Sequence, residues 1–449
     1  MQVLLQEYFK NKKITVMGLG LLGRGINIVK FLAKHGAQLT VTDLKSESEL
    51  GPSLEVLRVY QNITYVLGEH RLRDFRNVDI IIKAAGVPLN SPYIEEARKH
   101  SIPVEMDASL FAKLTDATLI GVTGTRGKST TTQLLYEILK KDAMNNTHNV
   151  FLGGNVRGVA TLPLLEVAGK SDLVVLELDS WQLQGFGEAG ASPHIAVFTN
   201  FLFDHMNYYK GDVERYFNDK ANIFRHQGAG DYLVVSKEAD VVIKERYKKL
   251  IRSTVIIAST TEISNDWNIH IPGLHNKKNI ALAVRTARIL GVAEQVIKIT
   301  VEHFNGIPGR LEYVRTVRGI QIFNDTTATT PDATLAGLQA LSKNKNIVLI
   351  MGGSEKELDM TPLLHKLVEY CKKIILLPGS GSERIKKKLR RISELHVEEV
   401  DGLRTALSMA MTVASDGDIV LLSPAFASFG LFKNEYDRGD QFIEYVKKI

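Results

Sequence analysis

Short apolar runs alternate with helical patterns along almost the whole of this chain, and that alternation limits the fold more than any other feature. KITVMG (13–18) is followed by GINIVKFLAKHG (25–36) and AQLTVTD (37–43). DLVVLEL (172–178), HIAVFTN (194–200), KNIVLIMGG (345–353), KIILLPG (373–379) and DIVLLSP (418–424) continue the pattern. Apolar runs without in/out alternation are what strands covered on both faces carry. Interleaved with helices, they predict an α/β chain built on parallel sheets. Breaks near 113–117 (KLTDA) and at Ile307-Pro308-Gly309 divide the 449 residues into three expected domains, 1–115, 116–308 and 309–449.

Composition removes several classes of function. Cys371 is the single cysteine, which rules out an internal disulfide framework and suits a reducing compartment. The opening MQVLLQEYFKNKK has no signal-peptide character, and no apolar run is long enough to span a membrane. The net charge of +6 is spread along the chain, and its densest basic cluster, at 386–391, reads as a solvated helix face. A cytoplasmic monomer with no nucleic-acid and no membrane partner is expected.

Two glycine loops carry the first chemistry. Gly18, Gly20 and Gly23 form G-x-G-x-x-G between a strand and a helix, and Asp43 ends the next strand 20 residues beyond Gly23. That is the setting in which backbone N–H groups at a helix start hold a diphosphate. Which nucleotide binds is open, with NAD the default. The second loop is GTRGKST (124–130), after the strand ATLIGVT and before the helix KSTTTQLLYEILKK. It is not a strict phosphate loop, because Val122 stands five residues before Gly127. Lys128 can still reach terminal phosphates, and Ser129 or Thr130 can hold Mg²⁺, so ATP is expected here.

Three further residues stand out in the middle region. Glu177 ends an apolar strand, where a carboxylate suits Mg²⁺ but can equally face solvent. His205 reads as a metal ligand or as a satisfied loop histidine. Lys220 shares one helix face with Val213, Phe217 and Phe224. An amine in an apolar stripe either snorkels to water or is buried and must be paired or neutral. Carbamylation by CO₂ would turn it into a carboxylate able to bind Mg²⁺.

Taken in order, these stretches resemble the Mur ligases, and among them those that add glutamate during peptidoglycan synthesis. The likeness runs nearly end to end: GTRGKST, GGNVRG (153–158), LELDSWQL (176–183), NFLFDHM (200–206), HNKKN (275–279), PGR (308–310), NDTTAT (324–329), GGSEK (352–356) and SPAFASFGLFKN (423–434). The resemblance implies a Rossmann-like first domain, a P-loop ATPase-like central domain and a Rossmann-like third domain. It implies that the first domain holds the UDP part of UDP-N-acetylmuramoyl-L-alanine and not NAD, with Gly18, Gly20, Leu21, Leu22, Gly23, Asp43, Lys45, Gly86 and Asn155 on that substrate. ATP would meet Gly124, Thr125, Arg126, Gly127, Lys128, Ser129, Thr130, Asn276, Asn279, Arg310 and Asp325. Two Mg²⁺ ions are implied, one on Ser129 and Glu177, the other on His205 and a carbamylated Lys220, which lies 15 residues beyond His205 as in the family. Thr329, Lys356 and Ser428 would receive glutamate. The implied reaction phosphorylates the L-alanyl carboxylate to an acyl phosphate, which the amine of D-glutamate then attacks.

Departures from the family pattern cluster at the amino-acid end. NDTTATT has Thr327 where a lysine is common, Glu435 replaces a usual phenylalanine, and Arg126 stands where asparagine is frequent. Losing a cation and gaining an anion weakens carboxylate binding unless the pocket is rearranged, so L-glutamate is the alternative substrate. An NAD-dependent oxidoreductase would explain only the first loop. A folylpolyglutamate synthetase-like ligase does not account for the G-x-G-x-x-G domain that precedes the ATP loop. A sugar-nucleotide sensor without turnover does not account for Lys128, Glu177, His205 and Lys220 together.

Overall fold

The computed structural model describes residues 2–21, 23–144 and 146–449. Leu22, expected at the first nucleotide, lies outside the described residues. Two compact units divide the chain: one comprises Met1–Glu262 and Ala281–Ile297, the other Ile263–Ile280 and Lys298–Ile449. Three sheets follow one another in sequence, and the apolar runs predicted above are among their strands.

The first sheet contains β1 (Lys13–Met17), β2 (Gln38–Asp43), β3 (Ile63–Leu67), β4 (Ile80–Lys83) and β5 (Val104–Glu105), ordered β3-β2-β1-β4-β5 and parallel throughout. Strand order reverses between β1 and β4, and ligands of open α/β sheets sit at such a switch point, beyond the carboxyl ends of the strands. The second sheet contains β6 (Thr118–Thr123), β7 (Val150–Gly154), β8 (Leu173–Glu177), β9 (Ile195–Phe198), β10 (Tyr232–Ser236) and β11 (Thr254–Ala258). Its order, β11-β10-β9-β6-β8-β7, puts β6 between β8 and β9. Both sheets belong to the first unit, and Val16, Val29, Phe198 and Phe217 are among the buried side chains of their core.

In the second unit, β12 (Glu312–Val317), β13 (Ile320–Asn324), β14 (Ile347–Gly352), β15 (Cys371–Leu377), β16 (Val397–Glu399) and β17 (Ile419–Leu422) form the third sheet. The order is β12-β13-β17-β14-β15-β16, with only β12 antiparallel to its neighbour. β14 and β17 are buried at every residue, which explains why their sequences read as unbroken apolar runs. Among the described residues no helix is long and apolar enough to cross a membrane.

Candidate active site

The two glycine loops share one construction. Gly23 and Gly127 each cap the following helix in the left-handed region, at φ 84° and 80°. That conformation suits glycine and turns the first free amides of Arg24–Lys34 and Lys128–Ala143 toward the loop. The loops differ in what surrounds them, and the difference decides their chemistry.

In the first, Asp43 is buried and spends both oxygens on backbone amides. Oδ2 accepts from Leu19 N (2.8 Å) and Gly20 N (3.0 Å), and Oδ1 accepts from Lys45 N (2.9 Å). The carboxylate therefore holds the glycine turn in shape. Leu21 is exposed at its tip, 57% accessible. Across the switch point, Ala84 N donates to Met17 O (2.8 Å), which brings the loop containing Gly86 beside the turn. Arg24 then reaches the loop after β7: Nε donates to Val159 O (3.1 Å), and Nη2 to Val156 O (3.2 Å) and Asn155 Oδ1 (3.5 Å). The proposed substrate residues of the first sheet and Asn155 are thus neighbours.

In the second loop, Lys128 Nζ donates to Gly124 O (3.0 Å) and Thr125 O (3.2 Å). Lys220 Nζ, 1% exposed, donates to the same Gly124 carbonyl at 2.8 Å. Of the two sequence readings of Lys220, burial is the one observed. Phe217 and Phe224 are buried with it, and Tyr216 lies with its ring centre 5.0 Å from the amine. Burial lowers the Lys220 pKa well below that of an ordinary lysine, the charge of Lys128 lowers it further, and Asp179 and Asp204 oppose. Arg126, unusual by family pattern, pairs with Asp204 at 2.7 Å. Asp204 also accepts from His205 N (2.8 Å), and the His205 ring lies 4.9 Å from that of Trp181. Register sets Glu177, the last residue of β8, opposite Val122 on β6, two residues before Gly124. From β9, Asn200 Oδ1 accepts from Arg126 N (2.9 Å) and Thr199 Oγ1 donates to Arg126 O (2.5 Å).

Among the described residues no group of three or more histidines, cysteines and carboxylates forms a ready metal cage. Mg²⁺ binds through one or two carboxylates together with substrate phosphates and water, and Ser129 and Glu177 offer oxygen donors of that kind. Carbamylation would give Lys220 the oxygens that its amine lacks.

In the second unit, Asn279 Nδ2 donates to Asn276 Oδ1 (3.3 Å) and Asn276 Nδ2 to Pro272 O (2.8 Å), so the two asparagines do share a face. Asp325 is buried, accepting from Ser423 Oγ (2.8 Å) and Leu311 N (3.1 Å). Its pKa is pushed up to about 7 by burial, against those two hydrogen bonds and the Arg310 charge. Lys356 Nζ donates to Thr329 Oγ1 (3.1 Å), and Ser428 follows Ala427, which bridges to Ser354. Thr327 turns away and donates to Gly309 O (2.9 Å).

Sequence reasoning missed Asp204, Thr199, Asn200, Lys83 and Arg438. The acid beside His205 and the polar pair ending β9 were visible signals; Lys83 and Arg438 had none, since burial of a single cation follows from no local pattern.

The N-terminal domain of MurD-like Mur ligases matches residues 12–105, the Mur ligase middle domain 122–268 and the Mur ligase glutamate ligase domain 309–426. The UDP-N-acetylmuramoylalanine--D-glutamate ligase of Borreliella burgdorferi (strain ZS7) is 36% identical, covering 99% of this chain and 100% of its own length. Two solved structures share the fold. UDP-N-acetylmuramate-alanine ligase MurC of Thermotoga maritima has TM-score 0.61 at 19% identity, over 98% of this chain and 100% of its own. The MurF ligase of the same organism, solved with ADP, has TM-score 0.60 at 18% identity, over 99% and 96%. None of these is an oxidoreductase. With matching family segments in the same order and one relative aligned from end to end, the chain belongs to the Mur ligase family.

Proposed function

We propose that the protein is an ATP-dependent ligase that joins D-glutamate to UDP-N-acetylmuramoyl-L-alanine, a step of peptidoglycan precursor synthesis that serves cell-wall growth, cell shape and division. The observation that carries the chemistry is the convergence of Lys128 and Lys220 on the Gly124 carbonyl. The names of the full-length relatives supply the substrates.

The chain is read as three domains, 1–115, 116–308 and 309–449, each built on one sheet. The first takes the UDP portion through Gly18, Gly20, Gly23, Lys45, Gly86 and Asn155, with Asp43 setting the shape of the turn. The second takes ATP, which supplies the phosphoryl group that turns the alanyl carboxylate into an acyl phosphate. Lys128 faces the terminal phosphates, where cations offset the meeting of anions. Arg126, oriented by Asp204, adds a second charge. Ser129 and Glu177 hold one Mg²⁺, and His205 and a carbamylated Lys220 the other. Burial shifts the Lys220 amine toward its neutral form, whose nitrogen has a free lone pair. It can therefore bond to the carbon of CO₂ and release a proton to solvent, leaving a carbamate anion. Thr329, Lys356 and Ser428 orient glutamate for attack by its amine. The same reading makes the enzyme a cytoplasmic monomer.

One observation favours a second reading, L-glutamate as substrate: Thr327 brings no cation and is bonded to Gly309. A single experiment tests both. Purified protein is given ATP, Mg²⁺ and UDP-N-acetylmuramoyl-L-alanine, with D- or L-glutamate in separate reactions. Phosphate release is followed and the product is weighed. The expected result is glutamate-dependent phosphate release with a product heavier by one glutamyl residue in the D reaction. No release with either isomer would refute the ligase, and product from the L isomer alone would select the second reading.

A further inference from the structure

β13 and β17 are parallel neighbours, so the loops that follow them, 325–330 and 423–428, leave the same sheet edge side by side. They are stitched together by Ser423 Oγ donating to Asp325 Oδ2 (2.8 Å) and by Ala425 N donating to Ala328 O (2.9 Å). Behind them lies Arg438, on the helix Glu435–Lys447, with 0% of its surface exposed. Its fork spans both loops. Nη2 donates to Thr326 O (2.7 Å), Nε to Thr326 Oγ1 (3.1 Å) and Nη1 to Phe426 O (3.4 Å).

All three acceptors are neutral oxygens. Among the described residues no carboxylate comes within ion-pair distance of this guanidinium, although Glu435 is near enough to act on it electrostatically. An arginine buried without a paired anion is costly, and breaking such a site leaves unmet acceptors behind. If packing alone were needed here, a neutral side chain would serve. The same two loops carry Thr329 and Ser428, and they contain the departure that looked most damaging in the sequence, Thr327 in place of a lysine. Glu435, the second departure, accepts Thr326 Oγ1 at its own carbonyl (2.8 Å).

We propose that Arg438 is the positioning residue of the amino-acid pocket. From the helix behind, it supplies the positive charge that Thr327 does not supply in the loop, it offsets Glu435, and its planar fork fixes the spacing of the two loops that receive the substrate carboxylates. The proposal rests on the reading that these loops bind glutamate.

Steady-state kinetics on the full chain test it, with ATP, Mg²⁺ and UDP-N-acetylmuramoyl-L-alanine present and glutamate varied. Arg438→Met raises the KM for glutamate about tenfold, as loss of one charge-assisted anchor does, and leaves the KM for ATP within about twofold. Glu435→Gln added to Arg438→Met recovers about threefold of that loss, because it removes the anion left without its counter-charge. A packing role would give no such rescue. An unmoved KM for glutamate in Arg438→Met, or no recovery in the double variant, overturns the proposal. Should Arg438→Met fail to fold, Arg438→Lys, which keeps the charge and loses the fork, raises the KM for glutamate about threefold, and Glu435→Gln alone lowers it about twofold. An unchanged KM in either overturns the proposal equally. Wild-type turnover is measured first. Its absence removes the ligase and the proposal together, whereas normal wild-type turnover with an unmoved KM in the variants removes the proposal alone.

Discussion

Lys83 offers a test in which pH alone separates two physical effects. It ends β4, is 2% exposed, and donates to Val87 O at 2.8 Å and to Ala84 O and Ala85 O at 3.4 Å. Burial pushes its amine down from 10.5 to about 8, with Glu188 and Asp179 pulling the other way. At roughly 1.4 kcal/mol per pH unit, the folded state bears a penalty of about 3 kcal/mol for the charged amine. Below pH 8 the amine is protonated in both states and the whole penalty stands. Between pH 8 and 10.5 the folded amine is neutral while the unfolded one stays charged, so stability rises with pH and the penalty is relieved. Lys83→Met removes the charge but leaves Val87 O without its donor, a loss of about 2 kcal/mol. At pH 7 the two proteins should therefore differ by only about 1 kcal/mol. By pH 10 the wild type should have gained about 2 to 3 kcal/mol relative to the variant. The chain divides into more than one compact unit, and such chains need not unfold in one step, so a local measure is needed: hydrogen exchange by mass spectrometry on the segment 78–90, in graded urea, corrected for the intrinsic rate. Parallel pH curves for wild type and Lys83→Met would refute the reasoning and make Lys83 an ordinary solvated lysine.

The second sheet yields two further predictions. Lys220→Met should reduce phosphate release by about a thousandfold or more while leaving thermal stability unchanged or raised, because a buried polar amine is removed and Lys128 still donates to the Gly124 carbonyl; a stability loss above about 2 kcal/mol would make Lys220 a structural residue. Gly124 has φ +140°, and a Cβ there would overlap the Thr199 hydroxyl and lie 3.0 Å from both Asn200 N and Asn200 O. Gly124→Ala should therefore raise the KM for ATP about tenfold or more while binding of the UDP-sugar, measured by titration calorimetry, stays as in wild type; an unchanged KM for ATP would show that the loop tolerates the shift.

Much of the fold is legible in the sequence. β14 and β17 read as strands because every residue in them is buried, and the helix starts at Arg24 and Lys128 follow from a glycine that alone suits the turn before them. Lys220 was legible in part: helical period put it on a face with Phe217 and Phe224 but left snorkelling and burial both open, and only the fold shows the amine buried. Asp43 was placed near a nucleotide, yet its two oxygens are taken by the turn itself, a division of roles that spacing does not encode.

Local chemistry therefore settled the parallel α/β plan and the two phosphate-type loops, because strand burial, helix capping and glycine turns depend on residues within a few positions of one another. Only tertiary structure decided which distant basic side chains meet which oxygens. Lys220 reaches Gly124 across 96 residues, Arg126 reaches Asp204 across 78, and Arg438 reaches Thr326 across 112. Periodicity names the face that is covered, but a buried basic side chain finds its oxygen through the order of strands in a sheet, and that order is written in no single stretch of the chain.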